Sequence, residues 1–367
     1  MDRVPFFDLK RQHVDLRNEL ALAIEAVMQK SAFSGGEFVD VFEKEFAAYC
    51  GANYARGVGS GTAALHLALL ALGVGPGDEV IVPSHTFIAS AWGISYVGAK
   101  PVFVDCTPLT WEIDPTAVEA AVTEKTRAII GVHLYGVPCD VRALQKIAEE
   151  HDLFLVEDCA QAHGALYRDT KVGTIGDIGC FSFYPSKNLG AVGEAGAVVT
   201  SDANVAEKVK MFRSHGEKEK YVHEMVGYNE RLDGIQAAVL SVKLKHLDTW
   251  NTRKAEIVNK YRDGIRNPAV ALQTIPEGVT PAYHLFVITT ENRKAFVEHM
   301  RSLGIDTSMH YPTPCHLQKA YVSLGYTRGD FPHTEYVADH CVSLPLFPEM
   351  TEDEIGRVIE AVNLYAR

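Results

Sequence analysis

Between residues 54 and 200 the chain alternates short β-branched, apolar runs with segments of helical periodicity, and few folds accept that rhythm. Candidate strands are Tyr54–Val58, Glu79–Pro83, Lys100–Asp105, Ala128–Leu134, Leu153–Glu157, Ile178–Ser182 and Ala197–Thr200; helical segments occupy 62–72, 86–97, 115–122 and 140–151. Such alternation predicts an α/β domain, a mostly parallel central sheet flanked by helices. In sheets of this kind ligands sit beyond the carboxyl ends of the strands. The segments with chemical character fall at such ends: Gly59–Thr62, Pro83–Phe87, Asp158–His163 and Ser182–Lys187.

The flanking regions read differently. Residues 14–30 place apolar side chains at helical spacing, with Asp8 or a neighbour as the start signal; Ser34-Gly35-Gly36 then breaks the chain before a second helix, 37–50, that ends at Gly51. From about residue 235 the strand–helix rhythm stops, and 235–266 reads as one long helical region leading out of the domain. A smaller α+β unit follows: strand-like Tyr283–Thr289, a helix near 291–303, and a last helix from Thr351, where Thr351 and Glu354 have capping-box spacing. A proline-pinned loop, Met309–Pro314, carries His310 and Tyr311 at its entry. The expected division is 1–245 for an N-terminal segment with the large domain, and 246–367 for a small C-terminal domain.

Composition narrows the classes. A length of 367 residues suits two domains, or one large domain with an appendage, and a net charge of −12 argues against nucleic acid while leaving room for a small anion held by local cations and helix N-termini. The cysteines at 50, 106, 139, 159, 180, 315 and 341 are scattered and odd in number, which reads as reduced, buried thiols and no metal site. The N-terminus has no apolar signal core, and the longest apolar stretch, near Ala63–Leu72, contains His66 and is too short to span a bilayer. A soluble, cytoplasmic protein without membrane association is expected.

Lys187 and Asp158 carry the strongest chemical signal. A lysine among aromatic, proline and small residues faces a wall more readily than solvent, and desolvation lowers its pKa toward the nucleophilic range. A carboxylate ending a buried strand needs a partner. That partner is a structural one (a helix cap or buried ion pair), or else the ring nitrogen of pyridoxal 5′-phosphate (PLP), whose aldehyde the lysine would hold as a Schiff base. Gln161 is placed to reach the ring's phenolic oxygen, and Ser182 to offer a hydroxyl to the phosphate. Gly57-Val-Gly-Ser-Gly-Thr62 is a strand-to-helix turn whose free amides suit a phosphate, or a plain turn; its spacing is not that of a dinucleotide fold. Phe87 reads as core or as a stacking ring, Asn229 as a helix cap or a ligand amide. Lys220 reads as a solvated cation or an anion contact, and His163 as a packed, satisfied histidine.

Taken together and in order, Gly-Ser-Gly-Thr-Ala-Ala-Leu-His (59–66), Gly-Pro-Gly-Asp-Glu-Val-Ile-Val-Pro (75–83), His-Leu-Tyr-Gly (133–136), Glu-Asp-Cys-Ala-Gln-Ala-His-Gly (157–164), Phe-Ser-Phe-Tyr-Pro-Ser-Lys-Asn-Leu-Gly (181–190) and Gly-Tyr-Asn-Glu-Arg-Leu-Asp (227–233) resemble the DegT/StrS family of PLP-dependent nucleotide-sugar aminotransferases, of fold type I. The resemblance runs from Pro5 to the final helix. It implies a homodimer with active sites at the interface, Lys187 as Schiff-base lysine, Asp158 on the pyridine nitrogen and Gln161 at the ring oxygen. Gly61, Thr62 and Ser182 would hold the phosphate with Asn229 from the other subunit, and Phe87 would stack on the ring.

The flanks of Lys187, Tyr184-Pro185 and Asn188-Leu189-Gly190, resemble the subgroup that aminates C-3 of a 3-keto sugar. There the residues matching Tyr184, His310 and Tyr311 line the sugar site, and the one matching Lys220 lies near the nucleotide. Ala195 departs from the usual glycine by one methyl. The implied reaction moves an amino group from L-glutamate to a nucleotide-linked keto sugar by a ping-pong mechanism. A C-4 aminotransferase is the alternative within the family. Sugar dehydratases carry histidine where this chain has Lys187, and regulatory PLP proteins generally add a basic DNA-binding module.

Overall fold

The seven β-branched runs pair into one sheet: β1 (Tyr54–Val58), β2 (Glu79–Pro83), β3 (Lys100–Val104), β4 (Thr126–Val132), β5 (Phe154–Asp158), β6 (Ile178–Ser182) and β7 (Gly196–Thr200), in spatial order β1-β7-β6-β5-β4-β2-β3. In this computed structural model, which describes residues 3–366, β2 runs parallel to β3 and β4, β4 to β5, and β5 to β6; β7 alone is antiparallel, to both β1 and β6. Met1 and Asp2, at the head of the N-terminal segment, and Arg367 lie outside the described residues.

Every residue of β2 and of β7 is buried, the mark of strands covered on both faces. One cover is the helix Gly61–Ala71, apolar nearly all round and buried at all but two positions, Thr62 and Leu70. The register sets Val132 beside Asp158 and Asp158 beside Cys180. The carboxyl ends of β4, β5 and β6 therefore open onto one crevice.

Two helical expectations change. The 235–266 region is two helices, Gly234–Leu244 and Leu247–Gly264, with i→i+3 bonds from Lys245 and His246 interrupting the ladder. No glycine or proline marks that break. It coincides with Lys243, whose buried ammonium donates to the Gly190 carbonyl in the loop after β6. The 14–30 helix is likewise preceded by a separate turn of helix, Leu9–Asp15, which Asp8 caps by accepting from the Lys10 amide at 2.9 Å.

The C-terminal unit has a three-stranded antiparallel sheet, β8 (Ala271–Leu272), β9 (Phe286–Thr289) and β10 (Cys341–Leu344). Helices Leu247–Gly264, Arg293–Ser302 and Glu352–Leu364 share its core around Tyr261, Phe296 and Phe347. The capping box forms: the Thr351 hydroxyl accepts from the Glu354 amide, and Glu354 accepts from the Thr351 amide. Arg11 grips the same carboxylate with two bonds of 2.8 and 2.7 Å, tying the N-terminal helix to this unit. β9 begins three residues later than the apolar pattern suggests. Ala282 and Leu285 donate instead to Gly136 and Tyr135, which fixes the intervening His284 against the large domain.

Candidate active site

A cavity of about 430 Å³ opens at the carboxyl ends of β4, β5 and β6, within the range of small-molecule sites. Gly61, Thr62, Phe87, Asp158, Gln161 and Ser182 line it, as do Tyr184, Lys187, His310 and Tyr311. Residues up to 250 positions apart in sequence meet here because strand ends and crossover loops converge at one edge of the sheet.

Asp158 is buried at the end of β5 and accepts from the Ser90 hydroxyl at 2.7 Å and from the Ala160 amide at 3.1 Å. Burial raises its pKa above the usual carboxylate value, with those two donors and the Lys187 charge pulling the other way. Among the described residues no cation lies within ion-pair distance of this carboxylate. A buried charge with that deficit suits a ligand that brings a positive group to it.

Lys187 follows the sharp turn at the end of β6, where its amide donates to the Tyr184 carbonyl at 2.8 Å and the Ala191 amide to Phe183 at 2.8 Å. Burial lowers its pKa from 10.5 to about 8, opposed by the charge of Asp158. An amine held near this value is a competent nucleophile and proton carrier close to neutral pH.

On the opposite wall the helix Gly61–Ala71 starts at Ser60, whose hydroxyl accepts from the Ala63 amide at 3.0 Å. Gly61 sits so close to β6 that a Cβ there would meet the Ser182 Cβ at 2.5 Å. Only glycine lets the helix start approach Ser182, and the free amides and dipole end point into the space they share.

Gln161 is buried; its Oε1 accepts from the Tyr135 amide at 2.6 Å and its Nε2 donates to the Tyr311 hydroxyl at 3.0 Å. Phe87 is half exposed and tilts against Tyr311 at a centroid distance of 5.3 Å, and Tyr184 is also half exposed. His310 pairs its Nδ1 with the Ser343 hydroxyl at 2.8 Å; burial and the Lys187 charge lower its pKa to about 4.

Several contributors escape sequence reading. Ser90, the donor to Asp158, looks like any small residue on a buried helix. Tyr135 holds a left-handed backbone, φ +60°, and spends every polar group on the site: its amide on Gln161, its carbonyl on Leu285, its hydroxyl on the His310 carbonyl while accepting from His85. The neighbouring Gly136 has φ +90°, and a Cβ there would strike the His284 amide at 2.7 Å and the Gln161 carbonyl at 2.8 Å. The signal was the His-Leu-Tyr-Gly motif itself, whose purpose only these contacts reveal. Behind Asp158, Glu157 is fully buried, yet its pKa falls below the usual value. Four donors outweigh its burial: His133 Nε2 and the amides of Gly173, Ile175 and Gly176.

Three expectations fall outside the cavity. His163 is packed against Phe181 and Phe183 but is not satisfied, since neither ring nitrogen has a partner among the described residues. Lys220 is exposed, its ammonium 5.3 Å from the Tyr221 ring, and Asn229 is exposed beside its bridge partner Ser214; neither lines the cavity of its own chain. Asn229 is also not the cap of the following helix, a position taken by Asp233.

The sheet order, the strand-end lysine and acid, and the glycine-started helix define an α/β protein with the site of a PLP-dependent enzyme. The profile of the DegT/DnrJ/EryC1/StrS aminotransferase family matches residues 14–363, and the chain belongs to that family. It is similar to a Streptomyces venezuelae protein named dTDP-3-amino-3,4,6-trideoxy-alpha-D-glucose transaminase, 46% identical over 365 residues, spanning 99% of this chain and 96% of the relative. Among solved structures, that of S. venezuelae DesV in complex with a ketimine intermediate superposes with a TM-score of 0.97 at 46% identity, covering 99% of this chain and 98% of that one. NtdA from Bacillus subtilis with bound cofactor PMP superposes with a TM-score of 0.92 at 32% identity, covering 99% and 85%.

Proposed function

We propose that the protein is a homodimeric aminotransferase that takes the amino group of L-glutamate, in a first half-reaction, and gives it to C-3 of a nucleotide-linked 3-keto sugar in a second. The observation that carries this reading is the meeting in one cavity, beyond the ends of adjacent parallel strands, of the Lys187 amine and the Asp158 carboxylate, which has no cation at ion-pair distance among the described residues. The S. venezuelae relative, whose name places its product's nitrogen at C-3, supports the position.

The residues present fit PLP. Gly61, Thr62 and Ser182 would hold its phosphate, Asp158 its ring nitrogen, Gln161 its ring oxygen, and Phe87 one face, with Asn229 of the second subunit completing the phosphate site. When bound, PLP supplies an aldehyde that exchanges amines and a cationic ring that accepts the electron pair left at the donor's Cα. Lys187 Nζ would carry the proton from that Cα to the former aldehyde carbon in the glutamate half-reaction, and from that carbon to the sugar carbon in the other. Its lowered pKa lets the same group serve as base and then as acid. Asp158, held by Ser90 and Ala160, keeps the ring nitrogen protonated; Tyr184, His310, Tyr311 and the partner's Lys220 would orient the sugar nucleotide.

The proposed division of the chain is 1–245 and 246–367, and the proposed setting is the cytoplasm, which suits seven buried free cysteines. No helix among the described residues is long and apolar enough to cross a membrane. The deciding experiment supplies glutamate with a panel of nucleotide 3-keto and 4-keto sugars and measures amine transfer by mass spectrometry. Transfer to 3-keto sugars is expected; transfer only to 4-keto sugars would overturn the C-3 assignment, and none to either would overturn the proposal.

A further inference from the structure

Behind the Lys187 loop lies a polar network whose hydrogen positions follow from its carbonyl groups. Asn251 Nδ2 donates to the His163 carbonyl at 2.8 Å, and Asn188 Nδ2 donates to the Ala282 carbonyl at 2.6 Å. Carbonyls only accept, so both amides are fixed in orientation, in agreement with the 2.8 Å bond from Asn188 Nδ2 to Asn251 Oδ1. Asn188 Oδ1 is therefore an acceptor, and it receives the buried Lys254 ammonium at 3.0 Å. His284 Nδ1, 3.3 Å from the same oxygen, must then carry the proton.

That assignment leaves His284 Nε2 a bare lone pair, without a partner among the described residues, on a ring that lines the cavity with Lys187. The ring stays neutral. Burial lowers its pKa well below 6.5, and the charged or titrating groups around it, Lys187, Lys254, His310 and His163, all act in the same direction. Gly136 packs against the His284 amide and keeps the ring at this station.

We propose that His284 is a positioning residue for Lys187: its Nε2 accepts a hydrogen bond from the Lys187 amine and holds Nζ on the cavity side while it carries the proton it will return. No proton passes to the imidazole. The inference rests on Lys187 being the reacting amine. It adds a reason for Asn188 and Lys254, neither of which touches the cavity: they set the tautomer.

The test uses the cofactor-free, full-length protein, so that failure to take up added PLP counts against the proposed function and not against His284. The pH dependence of Lys187 acetylation by a trace reagent is followed by peptide mass spectrometry. His284→Phe keeps the wall apolar but removes the acceptor; the Lys187 midpoint should fall by about one pH unit, the loss of one charge-assisted hydrogen bond. His284→Gln, whose amide oxygen can accept, should stay near the parent value. An unmoved or higher midpoint in the Phe variant overturns the proposal, since a purely structural ring, or one reserved for a substrate hydroxyl, would leave Lys187 as it was. Nitrogen NMR of the unmutated protein gives a check independent of variant folding. Nδ1 of His284 should be protonated at neutral pH, and a proton on Nε2 would overturn the assignment.

Discussion

At the scale of the residue, two groups divide the chemistry by their surroundings. Lys187→Ala should abolish the near-visible absorbance that PLP acquires on binding and lower turnover by about 10³-fold or more, checked by titration with PLP and steady-state kinetics. The free amine is the form that captures an aldehyde, so the rate of PLP uptake by cofactor-free protein should climb as pH rises through about 8, not 10.5. Asp158 works in the opposite sense. Its folded-state pKa is raised, so the native chain holds that proton more tightly than the unfolded chain does. Stability is lost as pH rises through the unfolded value toward the folded one, and stays lost at neutral pH. Asp158→Asn should therefore raise the melting temperature of the cofactor-free protein while cutting transamination by orders of magnitude; near-normal turnover would refute the role given to the carboxylate. Lys187 and Asp158 were legible in the sequence because each lies at or just beyond the end of an apolar, strand-like run. Ser90, Tyr135 and His284 were not, because what distinguishes them is a contact 68, 175 or 96 positions away.

At the scale of the element, the strands were readable and the helix breaks were not. Short apolar, β-branched runs mark β1 to β7 locally, whereas the interruption at Lys245–His246 carries no glycine or proline. It lies where Lys243 is anchored to Gly190, a contact between distant segments. The helix start at Ser60–Gly61 gives a sharper test. Gly61→Ala would place a Cβ at 2.5 Å from that of Ser182, so either β6 or the helix must shift. PLP affinity should drop at least tenfold with little change in secondary structure, measured by fluorescence titration and circular dichroism. The capping box predicts a milder effect: Thr351→Ala should cost about 1 kcal/mol of stability with turnover unchanged, read by chemical denaturation.

At the scale of the whole molecule, one chain supplies most of the proposed site but leaves Asn229 and Lys220 on its surface. Asn229→Ala should weaken PLP binding although that residue is outside the cavity of its own chain. A monomeric form that keeps full affinity would show the contact to be unnecessary. The family, the sheet and the convergence of strand ends followed from motif order, because those motifs are local. The second subunit's contribution entered by resemblance alone, since no local pattern encodes a neighbour. The lone carboxylate at the end of β5 has a consequence beyond catalysis. If its counter-charge arrives only with the vitamin-derived ring, each bound ring also acts as a folding partner, adding about 2.7 kcal/mol at a hundredfold excess over its dissociation constant. Newly made chains short of that supply would open more often and meet the cell's proteases sooner.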